Sequence, residues 1–369
     1  MGYFSGQAPA LEYLRITHDS SISEKDIEFP GIIFGGQLPK FTSLTLVNLR
    51  TDLRNPSLSS LTQFNFTTRT EISVRNLTSF FQQCPLLEFI QIRLEYKPQL
   101  SVPPSRKRVQ LAVLKELRLN EAASTSGLLD HLILPKCADM LLRGQFTDKA
   151  FDVFGDPAAR IHPSSIDHLP VMRGVTKAVA MPNSCVLSGL KGHVGFWCSE
   201  ENRGNFDAEF LTSFSPISIS KVNELWVGAS TEYRFGRIPW KQTAVGLRGA
   251  FEALKKVEDL TIVGCETGPI FAVLDVTMGA VVLLSGLRRL TIHVGWGDLD
   301  VSGLIRSAKT RKEYKYSQPL GEVTIIFENH PGADVIREVE SLRMSVEELN
   351  YRVGVTPELR WDGKDCDRR

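Results

Sequence analysis

The 369-residue sequence lacks almost every feature that would name a chemistry. Its six cysteines include no C-x-x-C pair, and their gaps match neither a zinc site nor a disulfide framework. Cys84, Cys137 and Cys265 lie within or beside apolar runs, where a thiol behaves as a small core residue; that usage favours a reducing compartment. No segment approaches the ~20 apolar residues of a membrane helix. The most apolar run, Val273 to Leu284, is interrupted by Asp275. Met1 to Ala10 have neither the basic start nor the apolar stretch of a signal peptide. The 43 lysines and arginines nearly cancel the 42 aspartates and glutamates, so no global field draws the chain to nucleic acid or anionic lipid. The expectation is an intracellular protein of cytoplasm or nucleus, with no nucleic-acid and no membrane partner.

Catalytic motifs are missing too. Phe34-Gly35-Gly36 and the run from Gly189 to Gly195 have glycines but not the spacing or the Lys-Ser/Thr pair of a phosphate loop. No G-x-S-x-G elbow is present. His162 and His168, six apart across Pro163, suit no common metal pattern. Asp298 and Asp300 flank Leu299 and could act as acid and base, but a polar turn after a strand accounts for them. No catalytic, cofactor-binding or metal-binding residue is assigned, and no cofactor is expected. An enzyme with an unrecognised site is the alternative from another class.

What the sequence does have is a recurring L-x-x-L-x-L pattern with other apolar residues allowed. Its middle positions are Leu14, Leu44, Phe64, Ile90, Leu117 and Met140, then Leu225, Leu260, Leu290 and Val323. The steps are 30, 20, 26, 27 and 23 residues in the first group and 35, 30 and 33 in the second. The last two apolar residues of each copy share one face of a short strand. One such strand buries too little surface to persist, but strands laid side by side share a core. Helical returns are expected over Asn76–Gln83, Thr243–Lys256 and Val276–Leu284, each leading into a strand. The predicted fold is α/β: an irregular, horseshoe-like leucine-rich-repeat solenoid with a parallel sheet on the concave face and helices and loops on the convex face. Residues 1–350 are read as one solenoid. Within it, 9–143 hold regular repeats, 144–220 an irregular segment with at best degenerate copies, 221–330 longer repeats and 333–350 a capping helix; 351–369 form a tail.

Pro9-Ala10-Leu11-Glu12-Tyr13-Leu14-Arg15-Ile16, Phe34 to Leu46, Cys84-Pro85-Leu86-Leu87-Glu88 and Leu128 to Pro135 together resemble the C-terminal repeat region of basidiomycete fungal F-box proteins. The likeness is best over 9–145 and looser over 220–330. It implies a module that holds a protein substrate for a cullin-based ubiquitin ligase. In that family an F-box ahead of the repeats docks on a Skp-type adaptor. Here ten residues precede the first copy, so adaptor binding is assigned to no residue and depends on an F-box upstream. A general interaction scaffold unrelated to ubiquitin is the alternative.

If the strands stack, the residues between the apolar ones face the concave side. The candidate partner-binding residues are Tyr13, Arg15, Gln91, Arg93, Arg118, Arg143, Trp226, Arg289 and His293. Arg15, Arg93, Arg118 and Arg143 are expected to form a cationic stripe. Trp226 is expected to stand open, as a hot-spot aromatic would.

Overall fold

The computed structural model of the chain describes residues 6–18, 34, 38–49, 58–69, 72–94, 108–120, 126–144, 166, 169–181, 184–198, 211–212, 214, 219–228, 244–264, 266–275, 282–295 and 299–355. The chain is a mixed α/β protein with a mostly parallel sheet and few helices. Its contacts divide into two units, Met1–Arg173 with Lys191–Ser199, and Gly174–Leu190 with Glu200–Arg369.

The first unit contains β1 (Tyr13–Thr17), β2 (Ser43–Val47), β3 (Gln63–Thr68), α1 (Val74–Gln83), β4 (Phe89–Leu94), β5 (Val109–Gln110), β6 (Glu116–Asn120), α2 (Ser126–Leu129), β7 (Leu132–Ile133) and β8 (Asp139–Gly144). The second unit opens with β9 (Val175–Met181) and β10 (Ser184–Gly189), after which β11 (Gly192–Cys198) returns to the first. The second unit continues with β12 (Glu224–Gly228), α3 (Ala244–Ala253), β13 (Asp259–Val263), α4 (Gly268–Leu274), β14 (Arg289–Val294), α5 (Val301–Glu313), β15 (Glu322–Phe327), α6 (Ala333–Glu340) and β16 (Glu348–Val353).

In the first unit the sheet runs β1-β2-β3-β4-β6-β8-β11, all parallel. In the second it runs β10-β9-β12-β13-β14-β15-β16, parallel except for the β9–β10 hairpin. All ten apolar triplets end in these strands. Their middle residues sit opposite one another, Leu14 on Leu44 on Phe64 on Ile90 on Leu117 on Met140, and Leu225 on Leu260 on Leu290 on Val323. A slip of one residue would turn every one of these side chains out of the core, so the hydrophobic pattern fixes the register.

The backbone shows a fourth apolar position that the triplet leaves out. In most copies the amide of the first apolar residue closes a turn on a carbonyl three residues earlier, as in Phe41 to Leu38, Leu61 to Leu58, Leu87 to Cys84, Val257 to Leu254 and Leu287 to Leu284. Leu38, Leu58, Cys84, Leu254 and Leu284 are themselves buried. One residue on, a single carbonyl accepts two amides from the next strand: Thr42 O from Thr62 and Gln63, Glu88 O from Lys115 and Glu116, Glu258 O from Arg288 and Arg289. The same contact therefore recurs from strand to strand and binds each copy to its neighbour.

The core lies between the sheet and the helices. Ser73 caps α1 by accepting from the Asn76 amide at 3.1 Å, and the helix stops at Cys84 ahead of Pro85. That placement sets Phe80 on Phe64 of β3, with ring centroids 4.5 Å apart. Burial pushes the Cys84 and Cys137 thiols up to about 12, so both behave as inert core residues. Cys185 is also buried and free; Cys265 lies outside the described residues.

Two expectations, both of helices, need correcting. The helix expected over 333–350 ends at Glu340, a 3-10 turn follows over Ser341–Met344, and 348–353 form β16. Val346, Leu349 and Tyr351 are a further copy, with Leu349 opposite Val323. The pairing offered by the free edge of β15 outweighs helical periodicity there. Within 144–220 the two degenerate copies form β9 and β11, with Ala178 opposite Leu225 and Val194 opposite Met140. The helix expected over 276–284 falls partly outside the described residues, and 283–286 form a turn. The helix of this repeat is α4, with Pro269 in its first turn and its end at Asp275. In the run from Gly189 to Gly195, Gly189 and Gly192 serve close backbone approach. Gly192 has φ +123°, and a Cβ there would run into the Ala138 carbonyl that accepts the His193 amide.

Candidate partner-binding face

Alternation gives each sheet an outward face with three rows of residues: one just before the middle apolar residue, one between the two apolar residues, and one after them. The nine expected residues all lie on outward rows, but they do not gather as expected. Arg15 and Arg118 share the middle row of the first unit, separated by Thr45, Asn65 and Gln91. Arg93 and Arg143 lie in the third row with Asn120 between them. Tyr13 stands in the first row, half exposed. The four arginines are spread over two rows and make no continuous stripe. Arg118 is further committed: its Nε donates to Glu116 Oε1, and its guanidinium lies 5.6 Å from the Phe89 ring centroid.

At the far end of the first row, His193 Nε2 meets Asp139 Oδ1 at 3.1 Å. This hydrogen bond, helped by the charges of Asp139 and Glu116, raises the His193 pKa above its ordinary 6.5 against the opposing effect of burial.

In the second unit Trp226 is half-buried rather than open. It packs on Val179, Met181 and Val186 of the β9–β10 hairpin. Its indole N–H donates to Glu224 Oε1, and Lys177 Nζ lies 4.0 Å from its ring centroid while reaching the same carboxylate at 2.8 Å. The ring is thus fixed on its apolar side and by both of its polar interactions. Beside it the middle row continues through Thr261, Thr291, Thr324 and Asn350.

Arg289 forms a two-pronged pair with Asp259 across β13 and β14. His293, expected to share its exposure, is only 8% exposed, and burial together with the Arg352 charge lowers its pKa against the pull of Glu328. Its Nδ1 has no hydrogen-bond partner among the described residues.

Of the first row of this unit the sequence analysis names Arg289 alone as a candidate; Lys177, Glu224, Asp259, Arg289, Glu322 and Glu348 lie side by side. Each immediately precedes a middle apolar residue, so aligning the copies on that residue exposes the row. A groove of about 360 Å³ opens there, lined by Glu258, Asp259, Arg288, Arg289, Gly321, Glu322, Glu347 and Glu348.

Asp300 caps α5, its Oδ1 accepting from the Gly303 amide at 2.8 Å while its own amide donates to Thr267 Oγ1. Asp298, His162 and His168 lie outside the described residues. Among the described residues no group of three or more His, Cys, Asp or Glu is placed to hold a metal ion, and no helix is long and apolar enough to cross a membrane. Set against protein-family models and curated proteins, the chain matches none.

Proposed function

We propose that the chain is a protein-binding scaffold, a leucine-rich-repeat solenoid whose outward strand face is the docking surface. The observation that carries this reading is Trp226: a large aromatic on that face, fixed by Glu224, Lys177 and the β9–β10 hairpin, with a row of small polar side chains running away from it. A pre-ordered aromatic loses little entropy on binding, and such residues anchor interfaces. The threonines and asparagine beside it can hydrogen-bond an extended or irregular partner surface. Within that role, the resemblance to the repeat region of F-box proteins supports the holding of a substrate for ubiquitin ligation.

The test compares wild type with Trp226→Ala and Thr291→Arg in affinity capture, with mass spectrometry identifying the partner and thermal melting monitoring the fold. Both variants are expected to lose at least about ten-fold in capture of the partner that wild type retains, while still melting cooperatively. Undiminished capture by both variants overturns the assignment of this face.

A further inference from the structure

The second unit carries two patches of opposite charge that adjoin at the rim where its strands begin. One is the groove at the starts of β13 to β16, where five carboxylates face two guanidiniums and one carboxylate, Asp259, is already paired with Arg289. The other is a ridge at the end of α5. Lys309, Lys312 and Lys315 recur every three residues and are all exposed, with Glu313 the one acid among them. This ridge also presents apolar surface. Tyr316 is 74% and Met344 82% exposed, and Lys312 Nζ donates to the Met344 carbonyl at 3.0 Å, which fixes Met344 beside the helix end. The two patches join through Gln318, which follows Tyr316 and accepts at 2.9 Å from Arg288 Nε on the groove wall.

We propose that this rim is a self-association surface, and that its occupant is a second copy of the chain. Each copy holds both halves of the complementary pair, next to each other on one unit. A two-fold axis between ridge and groove lets the lysines of one copy face Glu322, Glu347 and Glu348 of the other, and the reverse contact forms at the same time. Tyr316 and Met344 add exposed apolar surface beside the ridge lysines, and an interface buries such apolar surface inside a polar rim. The contact uses neither Trp226 nor the middle row; of the outward face it covers only the first-row positions Asp259, Arg289, Glu322 and Glu348, so a dimer leaves Trp226 and the middle row accessible.

The test is a reciprocal charge swap read by light scattering after size exclusion and by sedimentation velocity on the full chain. One variant carries Lys309→Glu, Lys312→Glu and Lys315→Glu, which makes both patches acidic. The other carries Glu322→Lys, Glu347→Lys and Glu348→Lys, which makes both basic. Wild type is expected to dimerise, with a dissociation constant at least about ten-fold weaker in about 500 mM than in about 50 mM salt. Each variant alone is expected to be monomeric, and their equimolar mixture to recover dimer mass. That recovery also shows that the substitutions have not unfolded either chain. A wild type that stays monomeric in low salt, dimers indifferent to the swaps, or a mixture that remains monomeric overturns the proposal.

Discussion

Arg311 Nη2 donates a 2.6 Å hydrogen bond to the carbonyl of Leu284, a residue held at φ 45° in the turn that leads into β14. Nη1 reaches the neighbouring Leu283 carbonyl at 3.0 Å, and no part of the arginine is exposed. Burial lowers its pKa to about 10, which leaves it charged at neutral pH. A side chain from α5 thus satisfies the carbonyls of a turn that a non-glycine residue occupies at some conformational cost. Arg311→Ala leaves two buried carbonyls without that donor and is expected to cost about 3 kcal/mol. Chemical denaturation monitored by circular dichroism measures it; a loss within about 0.5 kcal/mol would mean that the turn does not depend on the arginine.

Two histidines give stability opposite dependences on pH. His193 has its pKa raised in the folded chain, chiefly by the hydrogen bond to Asp139, so its contribution is complete below the unfolded value of 6.5 and fades as pH rises through the folded one. His293 has its pKa lowered, chiefly by burial, so its contribution is present above 6.5 and is lost as pH falls through the folded value. Relative to wild type, His193→Gln should cost more near pH 5.5 than near pH 8, and His293→Gln should cost less near pH 5.5 than near pH 8. Denaturation curves at about those two pH values decide it, and equal differences at both would contradict these assignments.

The strands were legible because burial on one face imposes a period of two, and ten copies repeat it in register. Less legible was anything set by neighbours in space. Trp226 reads as an open aromatic from its position, yet Lys177, 49 residues earlier in the chain, supplies the charge over its ring. His293 has the outward parity of Arg289 but is buried. The arginines looked like one stripe because spacing along the chain does not reveal which of two outward rows a residue joins; Arg118 and Arg93 differ in row by a two-residue shift. At the end of the second unit, Val339, Leu342, Val346 and Leu349 satisfy helical periodicity as well as the repeat, and pairing with β15 selected the strand for the last of them.

That choice can be checked directly. Leu349 is 6% exposed on the terminal strand, with Glu348 donating its amide to Gly321 O at 2.7 Å. Leu349→Asp should abolish hydrogen-exchange protection over 348–353 while β12, β13 and β14 keep theirs, since an edge strand can open locally while the strands behind it stay paired. Protection retained over 348–353, or lost throughout the unit, contradicts this placement of the last strand.

The docking role of the strand face is tested most directly by a photo-crosslinking scan. Benzoylphenylalanine placed singly at Gln91, Thr291 and Thr324 samples the outward rows, and the same residue at Thr78 and Glu252 samples the helical side. The outward positions should crosslink to one common protein and the helical positions should not. Crosslinks formed equally from both sides, or from the helical side alone, would contradict the account.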